Sequence, residues 1–163
     1  MSTLRGITVY IATGGSWRAG TDDALYVGVS GTAGGREFPI DASGYDDFQR
    51  GSRDRYALGT VWDESALIGV RTPKKSVADW NDPAYFYVGF QEIDRVYLRK
   101  HMGRRRLDDD AYALDEIEIA LYGEPGEKRL FRASTAIWLG LQYGGQVWLP
   151  EVDPATFSVA RRI

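Results

Sequence analysis

Eight short segments of this chain alternate apolar and polar residues, and each runs into glycine, proline or charged turn residues. Residues 7–13 (Ile-Thr-Val-Tyr-Ile-Ala-Thr) stop at Gly14-Gly15, and residues 24–30 stop at Gly31, ahead of Gly34-Gly35. Residues 36–40 are shorter, and Pro39, with no amide hydrogen to offer a neighbour, suits an edge strand. Residues 54–59, 94–100, 114–122, 128–133 and 145–149 complete the set. A period of two sends successive side chains to opposite faces of a sheet. Many short strands at turn-marked intervals bury one face each by stacking two sheets. The expectation is therefore all-β: an eight-stranded antiparallel β-sandwich, forming one domain over residues 1–163.

Residues 62–91 interrupt that rhythm. They carry Trp62, Pro73-Lys74-Lys75, Trp80, Asn81-Asp82-Pro83 and the apolar run 84–88. An inserted hairpin pairing 66–70 with 85–90 would accommodate them. Trp62 and Trp80 either pack on the core or form a contact surface for a membrane or a partner.

Composition narrows the classes of function. An apolar share of 44% with five Trp, ten Tyr and six Phe excludes disorder for the whole chain. A net charge of −3 offers no case for nucleic acid as the main partner. There is no cysteine, so disulfides, thiolate catalysis and zinc–sulfur sites are ruled out. His101 is the only histidine, and 28–32 (Gly-Val-Ser-Gly-Thr) lacks the Gly-x-Ser-x-Gly elbow. No glycine-rich phosphate loop opens a helix. The expectation is a protein that is not an enzyme. No secretory signal and no apolar run of about 20 residues is visible, which predicts a cytoplasmic or peripheral membrane location with no transmembrane segment, export being left open.

The carboxylates are not scattered evenly. In a sandwich of consecutive antiparallel strands, the loops after the first, third and fifth strands emerge at one end, provided the insertion adds an even number of strands. Those loops, 14–23, 41–53 and 101–112, hold Asp22, Asp23, Asp41, Asp46, Asp47, Asp108, Asp109 and Asp110. Eight carboxylates at one pole repel one another unless they are spread, protonated or neutralised by a cation. Calcium, taking six to eight oxygen ligands in irregular geometry, suits such loops better than magnesium. Taken singly, each aspartate fits equally well as a turn residue bonding its own backbone.

Three motifs fall in order along these loops: Ala19-Gly20-Thr21-Asp22-Asp23, then Asp47-Phe48-Gln49-Arg50-Gly51-Ser52-Arg53-Asp54, then Asp110-Ala111-Tyr112. Together they resemble the PLAT/LH2 domain family, and within it the membrane-binding domain of bacterial phospholipase C toxins. The resemblance spans roughly residues 6–150. It implies a small C2-like β-sandwich that attaches proteins to membranes or partners, often through calcium. Carried over residue by residue, one calcium position falls on Arg18, Gly20, Asp110 and Ala111. Arg18 cannot ligate a cation, so that position is weakened, and the guanidinium is expected to pair with Asp110 instead. A neighbouring position uses Thr21, Asp22, Asp46 and Asp47, and a further one begins at Asp41. Gly20 and Gly51 are expected to take positive φ, Phe48 to anchor the loop in the core, and Asp54 to cap backbone amides.

The resemblance also places the loop around 101–109 toward the membrane. Arg104, Arg105, Arg106 and Leu107 are its contact candidates, with Trp17 in the first loop, because indole settles at headgroup level and basic residues are drawn to an anionic leaflet. Arg104–Arg106 equally well balance Asp108–Asp110 across their own loop. The functional expectation is a non-catalytic, calcium-dependent lipid- or membrane-binding module. The alternative is a calcium-independent protein–protein interaction module of the same fold.

Overall fold

A computed structural model of the chain describes residues 2–32, 34–42, 44–73, 81–85, 87–102, 110–134 and 136–153. Among these residues ten strands run in order: β1 (Gly6–Thr13), β2 (Leu25–Gly31), β3 (Gly34–Pro39), β4 (Arg53–Gly59), β5 (Ile93–Lys100), β6 (Tyr112–Tyr122), β7 (Lys128–Ala133), β8 (Ile137–Leu139), β9 (Gln146–Leu149) and β10 (Glu151–Val152). The eight expected strands are all present. The two additions, β8 and β10, are only three and two residues long, too short to show a period.

The strands form two antiparallel sheets. One has the order β10-β7-β6-β1-β4 with β8 also on β6; the other has the order β3-β2-β5-β9. Ile7, Val9 and Ile11 of β1 and Ile117, Ile119 and Leu121 of β6 face inward from the first sheet. Leu25, Val27 and Val29 of β2 and Val96 and Leu98 of β5 meet them from the second. Each such side chain contributes about 1.5–3 kcal/mol when fully buried, so this alternation fixes the register. A one-residue slip would turn the whole set to water. Pro39 stands at the end of β3, an edge strand as its sequence predicts.

The inserted region departs from the hairpin expectation. Residues 64–67 form a 3₁₀ turn, with Asp63 at its N-cap accepting from the Ser65 amide at 3.2 Å. Among the described residues the region's strand-like pairing is confined to two isolated bridges, a parallel one from Arg71 to Tyr56 and an antiparallel one from Gly89 to Thr3. The reason is local: Asp63-Glu64-Ser65 offers caps and turn bonds where a strand needs alternation, and Gly69 adopts a left-handed φ of 72°. The start of the insertion instead covers the outer face of the first sheet. Trp62 is half-buried edge-on to Tyr122, centroids 5.7 Å apart, and its Nε1 donates to the Glu127 carbonyl at 3.2 Å. Its far end is tied down by Arg129 of β7, whose guanidinium donates to the carbonyls of Phe90 and Ile93 at 2.9 and 2.8 Å and pairs with both oxygens of Glu151. Trp80 lies outside the described residues.

Because the insertion adds no strand among the described residues, the parity argument holds. The loops leaving β1, β3 and β5 emerge together at one end.

Candidate functional site

The three loops are sewn to one another chiefly through main-chain atoms. The Thr21 amide donates to the Phe48 carbonyl at 3.2 Å, joining the first loop to the second. The Thr21 hydroxyl donates to the Asp110 carbonyl at 3.0 Å, and the Asp22 amide donates to Asp110 Oδ2 at 2.8 Å, joining the first to the third. Gly20 makes this approach possible. A Cβ there would stand 2.9 Å from both the Arg50 nitrogen and the Phe48 oxygen. Its φ is not positive, contrary to expectation; it is a contact glycine, while Gly51, with φ of 72°, is the conformational one.

Beneath the loops the predicted anchor is in place. Phe48 is buried against Tyr56 and Tyr112, with centroids 5.9 and 6.2 Å away, and holds a φ of 58° that few non-glycine residues adopt. Asp54 is buried too. It receives the Tyr45 hydroxyl at 2.5 Å and the Ser52 hydroxyl at 2.9 Å, and of backbone amides only that of Phe48, at 3.4 Å, so among the described contacts side-chain hydroxyls take most of the place expected for amides.

An open cleft of about 440 Å³ separates the first and second loops, lined by Thr21, Asp22, Asp23, Asp41, Asp46 and Asp47 with Tyr45 and Phe48. The expected set Thr21, Asp22, Asp46 and Asp47 therefore shares one cavity, and among the described residues no lysine or arginine lines it. Asp46 is exposed and accepts from Gln49 Nε2 at 2.9 Å. Asp47 is half-buried: one oxygen accepts from the Ala42 amide at 2.9 Å, the other from the Tyr56 hydroxyl. Its carboxyl is held above the ordinary aspartate range, chiefly by burial, with the charges of Asp41 and Asp54 adding. The donor chemistry of this cleft, oxygen only and net negative, fits a hard cation. Its present width does not close on one, since among the described residues no three acidic or histidine side chains stand near enough to share an ion.

The other predicted position fits worse. Gly20, Asp110 and Arg18 border a second, smaller cleft beside Thr21 and Asp22, with Ala111 next in the chain. Asp110 already spends its carbonyl on Thr21 and an oxygen on Asp22. Arg18 forms no ion pair with Asp110, contrary to expectation; its guanidinium lies 4.2 Å from the centre of the Trp17 ring. Trp17 itself is 72% exposed, the most exposed large apolar residue of those described. Arg104, Arg105, Arg106 and Leu107 lie outside the described residues.

One participant was missed by reading the sequence. Lys100, at the end of β5, is fully buried with its ammonium 2.7 Å from Asp23 Oδ2 and 2.9 Å from the His101 carbonyl. The signal was available: Val96, Leu98 and Lys100 share the inward parity of β5.

A two-sheet sandwich with a loop-built acidic pole defines a C2-like class of domain. The model of the PLAT/LH2 domain matches residues 7–90, and this chain belongs to that family. Solved structures agree in fold. The Clostridium perfringens alpha-toxin from an avian strain superposes with a TM-score of 0.59 at 20% identity, covering 91% of this chain and 32% of the toxin. Clostridium absonum alpha-toxin gives 0.57 at 18%, covering 93% and 32%. A coral 8R-lipoxygenase, described as calcium-activated through a C2-like domain, gives 0.56 at 18%, covering 91% and 17%. The chain thus spans about a third or less of these proteins.

Proposed function

We propose that this chain is a non-catalytic module that docks its loop pole on a phospholipid surface, with calcium as the counter-ion of the acidic cleft. The observation that carries this reading is a cleft lined by five carboxylates, with no basic side chain among its described lining residues, beside a loop whose tryptophan is exposed to solvent. Asp22, Asp46 and Asp47, with an oxygen of Thr21, would hold the ion, which supplies positive charge facing anionic headgroups. The calcium activation described for the lipoxygenase through its C2-like domain supports the assignment by analogy.

The chain's own residues provide the rest. Trp17 offers an indole suited to the headgroup layer, and Arg18, stacked on that ring, carries a cation to the same depth. Arg104, Arg105, Arg106 and Leu107 belong to the neighbouring loop, and each basic residue near an anionic leaflet adds about 1 kcal/mol. No helix among the described residues is long and apolar enough to cross a membrane, so attachment is read as peripheral.

Sedimentation with phosphatidylserine–phosphatidylcholine vesicles tests the proposal. Binding in millimolar calcium that is lost in chelator is the expected result; equal sedimentation in both defeats the calcium assignment, and none in either defeats the lipid one. A second reading, calcium-independent docking to a protein, draws on the width of the cleft. It also draws on the outer face of the second sheet, where Trp148, half exposed, packs on Tyr97 at 4.9 Å. Capture of a defined partner in chelator would favour it.

A further inference from the structure

The acidic pole already contains one cation. We infer that the Lys100 ammonium is the resident counter-ion of the Asp23–Asp110 side, fixing the first and third loops together with no metal required. The chain of contacts is continuous. Lys100 Nζ donates to Asp23 Oδ2 at 2.7 Å; the same oxygen accepts the Asp110 amide at 3.1 Å; Asp110 Oδ2 in turn accepts the Asp22 amide at 2.8 Å. The Asp23 amide donates to the Thr21 hydroxyl at 3.1 Å, and that hydroxyl donates to the Asp110 carbonyl. Three of these bonds join the first loop to Asp110 and one, from the Asp23 amide to Thr21, braces the first loop itself; the chain starts from a charge with no exposure to solvent.

Burial makes the arrangement obligatory. An ammonium taken out of water is strongly disfavoured unless it is paired and hydrogen-bonded. β5 leaves it no other course: Lys100 sits opposite Leu25 on the inward parity, its amide donates to the Gly145 carbonyl at 2.9 Å, and its stem is enclosed by the sandwich. A divalent ion comes and goes with its concentration, whereas this charge is covalently held. The pole thereby has one carboxylate, Asp23, paired with a fixed charge, beside Asp22, Asp41, Asp46 and Asp47, which share the open cleft with it. The inference deepens the proposed site by assigning it a fixed element and a responsive one, and its first element holds whether or not calcium enters the second.

The test is amide hydrogen exchange of the full chain in chelator, followed by NMR at Asp22 and Asp110. In the wild type both amides are expected to be protected without metal, and added calcium leaves them unchanged. In Lys100→Gln, protection at both falls by about tenfold or more while the amides of β1 and β6 keep theirs. Unchanged protection in the variant overturns the inference. So does a wild type whose Asp22 and Asp110 amides are open in chelator and close only with calcium, a result readable even if the variant fails to fold. Because the deciding measurements are metal-free, a protein that never binds calcium would refute the proposed function and leave this inference standing.

Discussion

The Tyr56 phenol, rising from β4, donates its hydrogen to Asp47 Oδ1 at the floor of the acidic cleft. The core is thus wired to the pole. Tyr56 is itself fully buried, and burial first, then the bond to Asp47, pushes its phenol far above the usual range, so it stays protonated and remains a donor. Asp47 is satisfied by two neutral donors yet short of water, and its carboxyl pKa is raised.

That elevation sets a pH dependence. Between the ordinary aspartate pKa, about 3.9, and the raised folded value, the folded chain holds more protons at Asp47 than the unfolded one. The Asp47 contribution to stability therefore falls as pH rises through that window. In chelator, Asp47→Asn is expected to melt above the wild type at neutral pH, with the gap closing below pH about 3.9. Thermal unfolding of both proteins across pH checks the sign.

Calcium reverses the balance at the same residue. At 100 times its dissociation constant, a ligand specific to the folded state adds about 2.7 kcal/mol, a rise of several degrees in Tm for a domain of this size. The double change Asp22→Asn and Asp46→Asn is expected to abolish that rise while leaving the chelated Tm close to wild type, because both side chains are exposed. Differential scanning with magnesium as control is the measurement.

Gly20 and Gly51 separate two reasons for glycine. Gly20→Ala pushes a methyl into the main chain of the second loop and should cost about 1–3 kcal/mol. Gly51→Ala meets open space and pays only for its φ of 72°, about 1–2 kcal/mol. Gly51→Asn should recover part of the loss, since asparagine tolerates that region; Gly20→Asn should not. Urea denaturation of the four variants distinguishes them.

Arg129 makes a prediction about the sandwich rather than the pole. Its guanidinium serves two carbonyls and a carboxylate at once, a forked geometry that an ammonium cannot reproduce. Arg129→Lys should therefore lose most of what Arg129→Ala loses, about 2–3 kcal/mol, in denaturant titrations.

Trp17→Ala should leave stability within about 0.5 kcal/mol, as expected for an exposed position, and should weaken vesicle sedimentation. Equal sedimentation of variant and wild type would remove Trp17 from the contact surface.

The strands were legible because alternation and glycine punctuation agree along β1, β2, β5 and β6. The common pole was legible because parity alone assigns each loop to an end. The 62–91 region was not, since Ala66–Val70 has strand-like composition while the preceding Asp63 offers a cap, and a local cap acts before any distant pairing can. Lys100 was overlooked for a different reason. Its place in the alternation marks it as inward, but only the fold reveals that Asp23 waits there to receive it. Arg18 shows the opposite error: the family resemblance set it beside Asp110 at a calcium position and opposite charge suggested the pair, but the guanidinium lies over the adjacent indole.

Strand β1 lies between β4 and β6 in the first sheet. It precedes the other strands of the sandwich in the sequence, yet one of its two neighbours ends only at Tyr122. The stretch matched by the family model, residues 7–90, holds β1 through β4 and so stops before that neighbour. Closure of the sheet is therefore a late event with a long loop to close, which slows folding. Until it happens, a nascent chain presents the open side of β1 to the crowded cell, the kind of bare strand edge that recruits stray strands and that chaperones shield.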